Sequence, residues 1–232
     1  MNIALIIAAG VGKRTGSEVP KQFVCIREKP ILIYTLEVFQ KHPAFDAIGV
    51  VCLSGWQELV KSYARQYGIS KLQWFAEGGV TGQESIYNGI MKLNEHAQPG
   101  DAIFIHDAVR PLLNEEILNN LISTYDKYGS GVVAIPCTEA ILKSSDALRS
   151  KESVPRDQLF RTQTPQAYSL EKLLWAHDEA AKRGITNSVS TCTLMSELGE
   201  EVFISPGQEQ NMKITTEGDI LMIEKLMELK SM

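Results

Sequence analysis

The 232-residue chain carries a formal net charge of −5 and so lacks the basic excess that broad nucleic-acid binding requires. Its 44% apolar and 22% charged fractions are those of an ordinary soluble globular protein, and its length suffices for one sizeable α/β domain without demanding two. No apolar run approaches the roughly 20 residues of a membrane-spanning helix. The start, Met-Asn-Ile-Ala-Leu-Ile-Ile, lacks the cationic region of a signal peptide. The four cysteines (Cys25, Cys52, Cys137, Cys192) form no Cys-x-x-Cys, so neither a zinc site nor a disulfide framework is expected, and a reducing cytoplasm is the predicted setting.

The first predicted element is an apolar strand, Ile3–Ile7. It opens into a loop with glycines at 10, 12 and 16 and cations at Lys13, Arg14 and Lys21, ending in Pro20-Lys21-Gln22. A strand followed by a small-residue turn loaded with positive charge is a place to hold a polyphosphate. Two commoner phosphate motifs fail. A P-loop would need a glycine where Ile7 stands and a Ser or Thr where Arg14 stands. The dinucleotide fingerprint would need its third glycine one residue before Gly16, which disfavours an NAD-dependent dehydrogenase. A plain strand–loop–helix connection would account for the glycines but not for three cations, although Lys13 could simply face solvent.

Helix and strand signals then alternate. Helices are predicted at Pro30–His42, Trp56–Tyr67, Gln83–Asn94 and Glu115–Tyr128, and strands at Ala47–Cys52, Leu72–Ala76, Ala102–Ile105 and Gly131–Ile135. This rhythm predicts a Rossmann-like, three-layer α/β/α fold around a mainly parallel sheet, with ligands beyond the carboxyl ends of its strands. The rhythm breaks at about 137–164, a polar stretch with Pro155 that reads as a projecting arm on a single domain spanning 1–232. Beyond it come a helix at Leu170–Arg183, a small-polar segment at 186–193, a short strand near Val202–Ile204, and a last helix opened by a capping box, Thr216-Glu217-Gly218-Asp219. Met222 and Met227 on that helix are expected in the core. His42, His96 and His177 are expected to be structural or exposed, and His106 to orient its loop rather than act as a base.

Six motifs occur in order: Ala8-Ala9-Gly10-x-Gly12-x-Arg14 with Pro20-Lys21-Gln22; Gly78-Gly79 with Ser85; His106-Asp107-Ala108-x-Arg110-Pro111; Arg156; Thr164-Pro165-Gln166; and Asn211-x-Lys213-x-Thr215. Together they resemble, over nearly the full length, the cytidylyltransferases that act on methylerythritol 4-phosphate and on ribitol 5-phosphate. The resemblance implies CTP and a polyol phosphate as substrates, a magnesium ion whose ligands stay open, and a homodimer in which each arm, at about 137–164, embraces its partner. No nucleic-acid or membrane partner is expected.

The resemblance implies catalytic roles for Arg14 and Lys21 on the triphosphate loop and for Lys213 at the α-phosphate. Ala8, Ala9, Gly10, Gly12, Gly79, Ser85 and Ala108 would bind CTP. Asp107, Arg110, Arg156, Thr164 and Thr186 would bind the acceptor, with Arg156 reaching across the dimer. Asp107 and Arg110 could equally be a local ion pair at a strand end.

The departures from the family pattern gather on the acceptor side. Gly82 stands where an arginine is usual, Glu139-Ala140 where the arm often begins with Asp-Thr, and Thr186-Asn187-Ser188 where Thr-Asp-Asp or Thr-Asp-Glu is usual. An acceptor of the ribitol phosphate kind is therefore expected, with methylerythritol 4-phosphate as the alternative. A catalytically silent nucleotide-binding protein is the reading from another class.

Overall fold

The structure is a computed structural model that describes residues 1–10 and 19–230. In chain order it contains β1 (Asn2–Ala8), a small hairpin of β2 (Cys25–Ile26) and β3 (Lys29–Pro30), α1 (Ile31–Lys41), β4 (Ala47–Cys52), α2 (Gln57–Gln66), β5 (Leu72–Glu77), α3 (Gly82–Asn94), β6 (Ala102–Asp107), α4 (Glu115–Tyr128) and β7 (Ser130–Pro136). A second hairpin, β8 (Ile141–Lys143) with β9 (Glu152–Val154), precedes β10 (Phe160–Ser169), α5 (Leu170–Arg183), α6 (Thr191–Glu197), β11 (Ile204–Pro206) and α7 (Glu217–Lys230).

Seven strands form one sheet in the order β11-β7-β10-β6-β1-β4-β5. β1 lies parallel to β4 and β6, β4 to β5, and β11 to β7; β10 alone runs antiparallel, against β6 and β7. The alternation of side chains along each strand divides the core. On β1, Ala4, Ile6 and Ala8 face a cluster built with Leu36 and Phe39 of α1, Val60 of α2 and Leu118 of α4. Ile3 and Leu5 face the other side, against Ile90 of α3, Leu173 of α5 and Met195 of α6. These are the three layers expected from the sequence.

Local chemistry sets the helix boundaries. The side chains of Thr81, Asn114, Ser169 and Ser190 accept N-terminal amide hydrogens, and Gly129 and Gly184 end α4 and α5 in left-handed backbone, at φ 75° and 69°. Asp219 and Thr216 cap each other reciprocally at the start of α7: Thr216 N donates to Asp219 Oδ2 at 2.8 Å, and Asp219 N to Thr216 Oγ1 at 3.4 Å.

Three expectations need correcting. The arm does not extend to residue 164: Phe160, Arg161 and Thr162 already pair with Pro136, Ile135 and Ala134 of β7, so the chain has rejoined the main sheet. The small-polar segment at 186–193 runs into a helix, α6, behind the Ser190 cap. Met222 is 57% exposed, and only Met227 of the expected pair packs inward, beside a third cluster of Ile26, Ile31, Val109, Leu112, Ile214 and Ile223.

That third cluster positions the C-terminal motif. Ile214 is fully buried, and its N–H donates to Val109 O at 2.9 Å. Strand-like alternation then leaves Lys213 and Thr215 lining the cavity described next.

Candidate active site

A cavity of about 640 Å³ opens beyond the carboxyl ends of β1, β5 and β6, where an open α/β sheet ordinarily receives its ligand. Its floor is the end of β1 with Ala8, Ala9 and Gly10; one wall is Gly79 to Gly82 with Ser85; another is His106 to Arg110. Lys21 and Lys213 reach it from near the two ends of the chain, and Thr164, Gln166 and residues 189–191 close the remaining side.

The Pro20-Lys21-Gln22 turn explains how Lys21 arrives there. Gln22 is 1% exposed and donates from Nε2 to Ala8 O at 2.6 Å, tying the turn to the end of β1. Phe23 stacks on Trp56, ring centroids 4.4 Å apart. The Lys21 ammonium donates to Ile214 O at 2.9 Å, which brings the N-terminal loop and the C-terminal motif together.

The Gly78-Gly79 turn is held as closely. A Cβ on Gly78 would stand 2.3 Å from the Ala9 Cβ, so only glycine lets this turn approach the β1 loop. Gly79 N donates to Ser85 Oγ at 3.0 Å, and Ser85 Oγ donates to Thr81 O at 2.9 Å. Ser85 thus orients the backbone that faces the cavity.

Asp107 is the electrostatic hub. Its Oδ1 accepts from Lys213 Nζ at 2.9 Å and its Oδ2 from Arg110 Nε at 3.0 Å, so the ion pair at the strand end exists and lies on the cavity wall. Burial alone would raise the Asp107 carboxyl, but the Lys213 and Arg110 cations outweigh it and hold the group well below the usual carboxylate range. Arg110 Nη1 also donates to Asn211 O at 2.7 Å. Asn211, fully buried, donates from Nδ2 to Gln163 Oε1 at 3.1 Å and to Thr164 O at 2.9 Å.

His106 is fully buried on β6, its Nδ1 3.0 Å from Thr164 Oγ1, which also accepts from Asp107 N at 3.1 Å. Burial lowers its pKa to about 3, so the imidazole is neutral and braces the strand end. Among the described residues lining the cavity, three cations (Lys21, Arg110, Lys213) face one carboxylate. An anionic ligand fits that balance.

Most residues singled out by sequence meet here: Ala8, Ala9, Gly10, Lys21, Gly79, Ser85, Asp107, Ala108, Arg110, Thr164 and Lys213 all line the one cavity. Gly12 and Arg14, with Lys13 and Gly16, lie outside the described residues. Arg156, in a short turn of 3-10 helix on the arm, and Thr186 are exposed and do not line the cavity. Sequence reasoning passed over Val189, Ser190 and Thr191, which do line it, and gave no role to Gln166 or Thr215, although both stand in motifs already singled out. The Ser190 cap was the available signal for the first three.

Among the described residues no group of three His, Cys, Asp or Glu side chains could hold a metal ion. No described helix is long and apolar enough to cross a membrane.

The profile of the family described as 2-C-methyl-D-erythritol 4-phosphate cytidylyltransferase (IspD) matches residues 2–229. A ribitol-5-phosphate cytidylyltransferase of Lacticaseibacillus paracasei is 38% identical over 100% of both chains. A 2-C-methyl-D-erythritol 4-phosphate cytidylyltransferase of Clostridium botulinum is 32% identical over 98% of this chain and 97% of its own. The crystal structure of a 4-diphosphocytidyl-2C-methyl-D-erythritol synthase superposes with a TM-score of 0.78 at 27% identity, covering 97% of this chain and 98% of its own. With a strand-end cavity rich in fixed positive charge and full-length relatives on every side, this chain belongs to the 2-C-methyl-D-erythritol 4-phosphate cytidylyltransferase family of enzymes.

Proposed function

We propose that this enzyme transfers the cytidylyl group of CTP to a polyol phosphate, ribitol 5-phosphate foremost, giving a CDP-polyol and pyrophosphate. The observation that carries the reading is the convergence of Lys21 and Lys213 on one backbone-floored cavity, beside Asp107 and Arg110. The higher identity to the ribitol-5-phosphate enzyme, 38% against 32%, supports the choice of acceptor.

In this reading the cytosine lies against Ala8, Ala9, Gly79 and Ser85, and the triphosphate runs toward Lys21 and Lys213. An acceptor phosphate oxygen attacks the α-phosphorus as the bond to pyrophosphate breaks. A phosphate monoester has its second pKa near 6, so it is already a nucleophile at neutral pH and needs no protein base. The protein's contribution is to align two anions and to neutralise charge as it shifts toward the leaving pyrophosphate. Lys213, half-exposed and held by Asp107, is placed to exchange that carboxylate for phosphate oxygens. A magnesium ion, when bound, would supply charge neutralisation to the triphosphate, and Asp107 is the one carboxylate among the described residues lining the cavity.

Arg14, which lies outside the described residues, is assigned to the triphosphate on the resemblance alone, and the arm to a homodimer that brings Arg156 to the partner's acceptor phosphate. The exposed Leu142 and Leu148, 68% and 90% accessible on the β8–β9 arm, support such a contact. The setting is the cytoplasm. Methylerythritol 4-phosphate is the second acceptor, favoured by the family profile.

Incubation with CTP, magnesium and each polyol phosphate in turn, with pyrophosphate as the readout, tests the reading. Turnover of ribitol 5-phosphate is expected. Turnover of methylerythritol 4-phosphate alone would overturn the acceptor, and CTP binding without turnover of any acceptor would overturn the activity.

A further inference from the structure

Residues 184–190 join α5 to α6, and Val189 and Ser190 line the cavity together with Thr191, the first residue of α6. Main-chain bonds to the flanking helices hold only the two ends of this segment, Ile185 N donating to Ala180 O at 2.9 Å and Leu194 N to Ser190 O at 3.0 Å, and the stretch between is placed from outside. One side chain from across the fold does much of it: Gln83, in the first turn of α3, donates from Nε2 to Ile185 O at 2.8 Å and accepts from Ser188 N at Oε1, also at 2.8 Å. A single amide satisfies one carbonyl and one N–H three residues apart, much as a neighbouring strand would. Ser188 itself is buried, its hydroxyl bonded to the Glu197 carboxylate.

The far end of the segment is pinned by a second amide. Gln166 Oε1 accepts from Cys192 N at 2.9 Å, while Ser190 caps α6. Between the two anchors Val189 is 94% exposed, an apolar side chain held in the cavity mouth with almost no packing of its own. The wall it makes with Ser190 and Thr191 carries methyl groups and hydroxyls and no charge, which suits the carbon chain and hydroxyls of a polyol. Gln83 does not line the cavity; only its neighbours in α3 and the preceding turn do.

We propose that Gln83 is a positioning residue that sets acceptor selectivity: it holds residues 185–191 so that Val189, Ser190 and Thr191 form the wall against which the polyol chain is read. The proposal rests on the polyol phosphate reading above. Sites that match a substrate's hydroxyl pattern discriminate strongly when their partners are fixed, and weakly when they are free to move. The same first turn of α3 serves the other end of the cavity through Ser85 and Gly79, so the two effects must be separated in the test.

The test compares the wild-type enzyme with Gln83→Ala and Gln83→Glu, measuring KM and kcat for CTP, ribitol 5-phosphate and methylerythritol 4-phosphate by pyrophosphate release. Gln83→Ala removes both bonds. Gln83→Glu keeps the size and the acceptor for Ser188 N but loses the donor to Ile185 O, and it provides a folded variant of near-native volume. The expected result is a rise of about tenfold in KM for ribitol 5-phosphate and a similar fall in the selectivity ratio between the two acceptors. Gln83→Glu should show the same split in smaller measure, with KM for CTP within about twofold of wild type in both variants. Unchanged acceptor KM and selectivity, or equal losses for CTP and acceptor, would overturn the proposal while leaving the polyol phosphate reading intact. A wild-type enzyme that turns over neither acceptor would overturn that reading and this proposal with it.

Discussion

The two ends of the cavity are built by different means. At the proposed nucleotide end the groups sit on strand termini or are tied to them by main-chain bonds, Gly78 N to Cys52 O at 2.9 Å and Ala108 N to Ile7 O at 3.1 Å, with one side-chain bond added from Gln22 Nε2 to Ala8 O. The sheet ladders and two buried clusters stand directly behind them. At the proposed acceptor end the wall is a connecting segment held by side-chain amides from α3 and β10. The first arrangement cannot shift without disturbing the sheet. The second can be re-aimed by changing a few side chains, and one of the three expected departures, Thr186-Asn187-Ser188, falls on it. Positioning for a shared reaction belongs on rigid elements, and choice of substrate belongs on adjustable ones.

The largest effect expected lies at the rigid end. Lys213→Ala removes a cation held 2.9 Å from Asp107, and kcat should fall by about 10²–10³ with CTP and acceptor KM changed far less. Pyrophosphate release under saturating substrates measures it. A loss confined to KM would place Lys213 in ground-state binding and remove the basis for treating this end as the catalytic one.

The contrast between the ends was legible in the sequence only on the rigid side. Continuous apolar runs located β1, β4 and β6 within a residue or two, because a parallel strand covered by helices on both faces must be apolar on both. The C-terminal motif was legible only through the family resemblance: Asn211, Lys213 and Thr215 lie in a segment without a regular element, and the bond from Ile214 N to Val109 O is what places them. β10 escaped because its interior is polar. Gln163 and Gln166 are 5% and 2% exposed yet look like loop residues, since their burial is compensated by bonds to Gln208 O, Asn211 and Cys192 from distant segments. α6, at seven residues, is too short for a helical period to register. The Gln83 staple spans about a hundred residues of chain, a distance over which local pattern carries no information.

Acid should distinguish the two regions next. Burial lowers the pKa of His106 to about 3, at the end of β6, and that of His177 to about 4, where its ring lies 5.3 Å from Tyr87 between α5 and α3. Both folded values lie below the ordinary 6.5, so the unfolded chain binds protons that the folded one refuses. Their stabilising contribution is complete above pH 6.5 and is lost as pH falls toward about 4 for His177 and about 3 for His106. The slope is about 1.4 kcal/mol per pH unit for each histidine, or about 2 kcal/mol each by pH 5. Urea unfolding at pH 7 and pH 5 should show it, and His177→Leu should shed about half of that loss. An unchanged slope would mean that α5 is already open to solvent.

Gly78→Ala bears on the close approach that makes the nucleotide end. The new methyl would lie 2.3 Å from the Ala9 Cβ, which is fixed to the β1 loop and cannot rotate away. The turn must retreat, at about 1–3 kcal/mol for an overpacked contact, so CTP affinity by calorimetry should fall about tenfold while acceptor selectivity is kept. Equal losses at both ends would mean that the two walls move as one.

The smallest effect expected is at Asp219. Burial would raise its carboxyl, but hydrogen bonds from Thr215 and Thr216 hold it below the ordinary range, and it is their shared acceptor at 2.7–2.8 Å. Asp219→Ala removes the cap of α7 and about 1 kcal/mol of stability, visible as a lower melting temperature. Thr215 lines the cavity two residues from Lys213, so the cap also anchors one side of the proposed catalytic motif. Because Ile214 remains locked to Val109 and Lys21, kcat should fall by no more than a few-fold. A loss as large as that of Lys213→Ala would mean that α7, rather than the sheet and its buried cluster, fixes the position of Lys213, and that the nucleotide end is held by a removable side-chain contact after all.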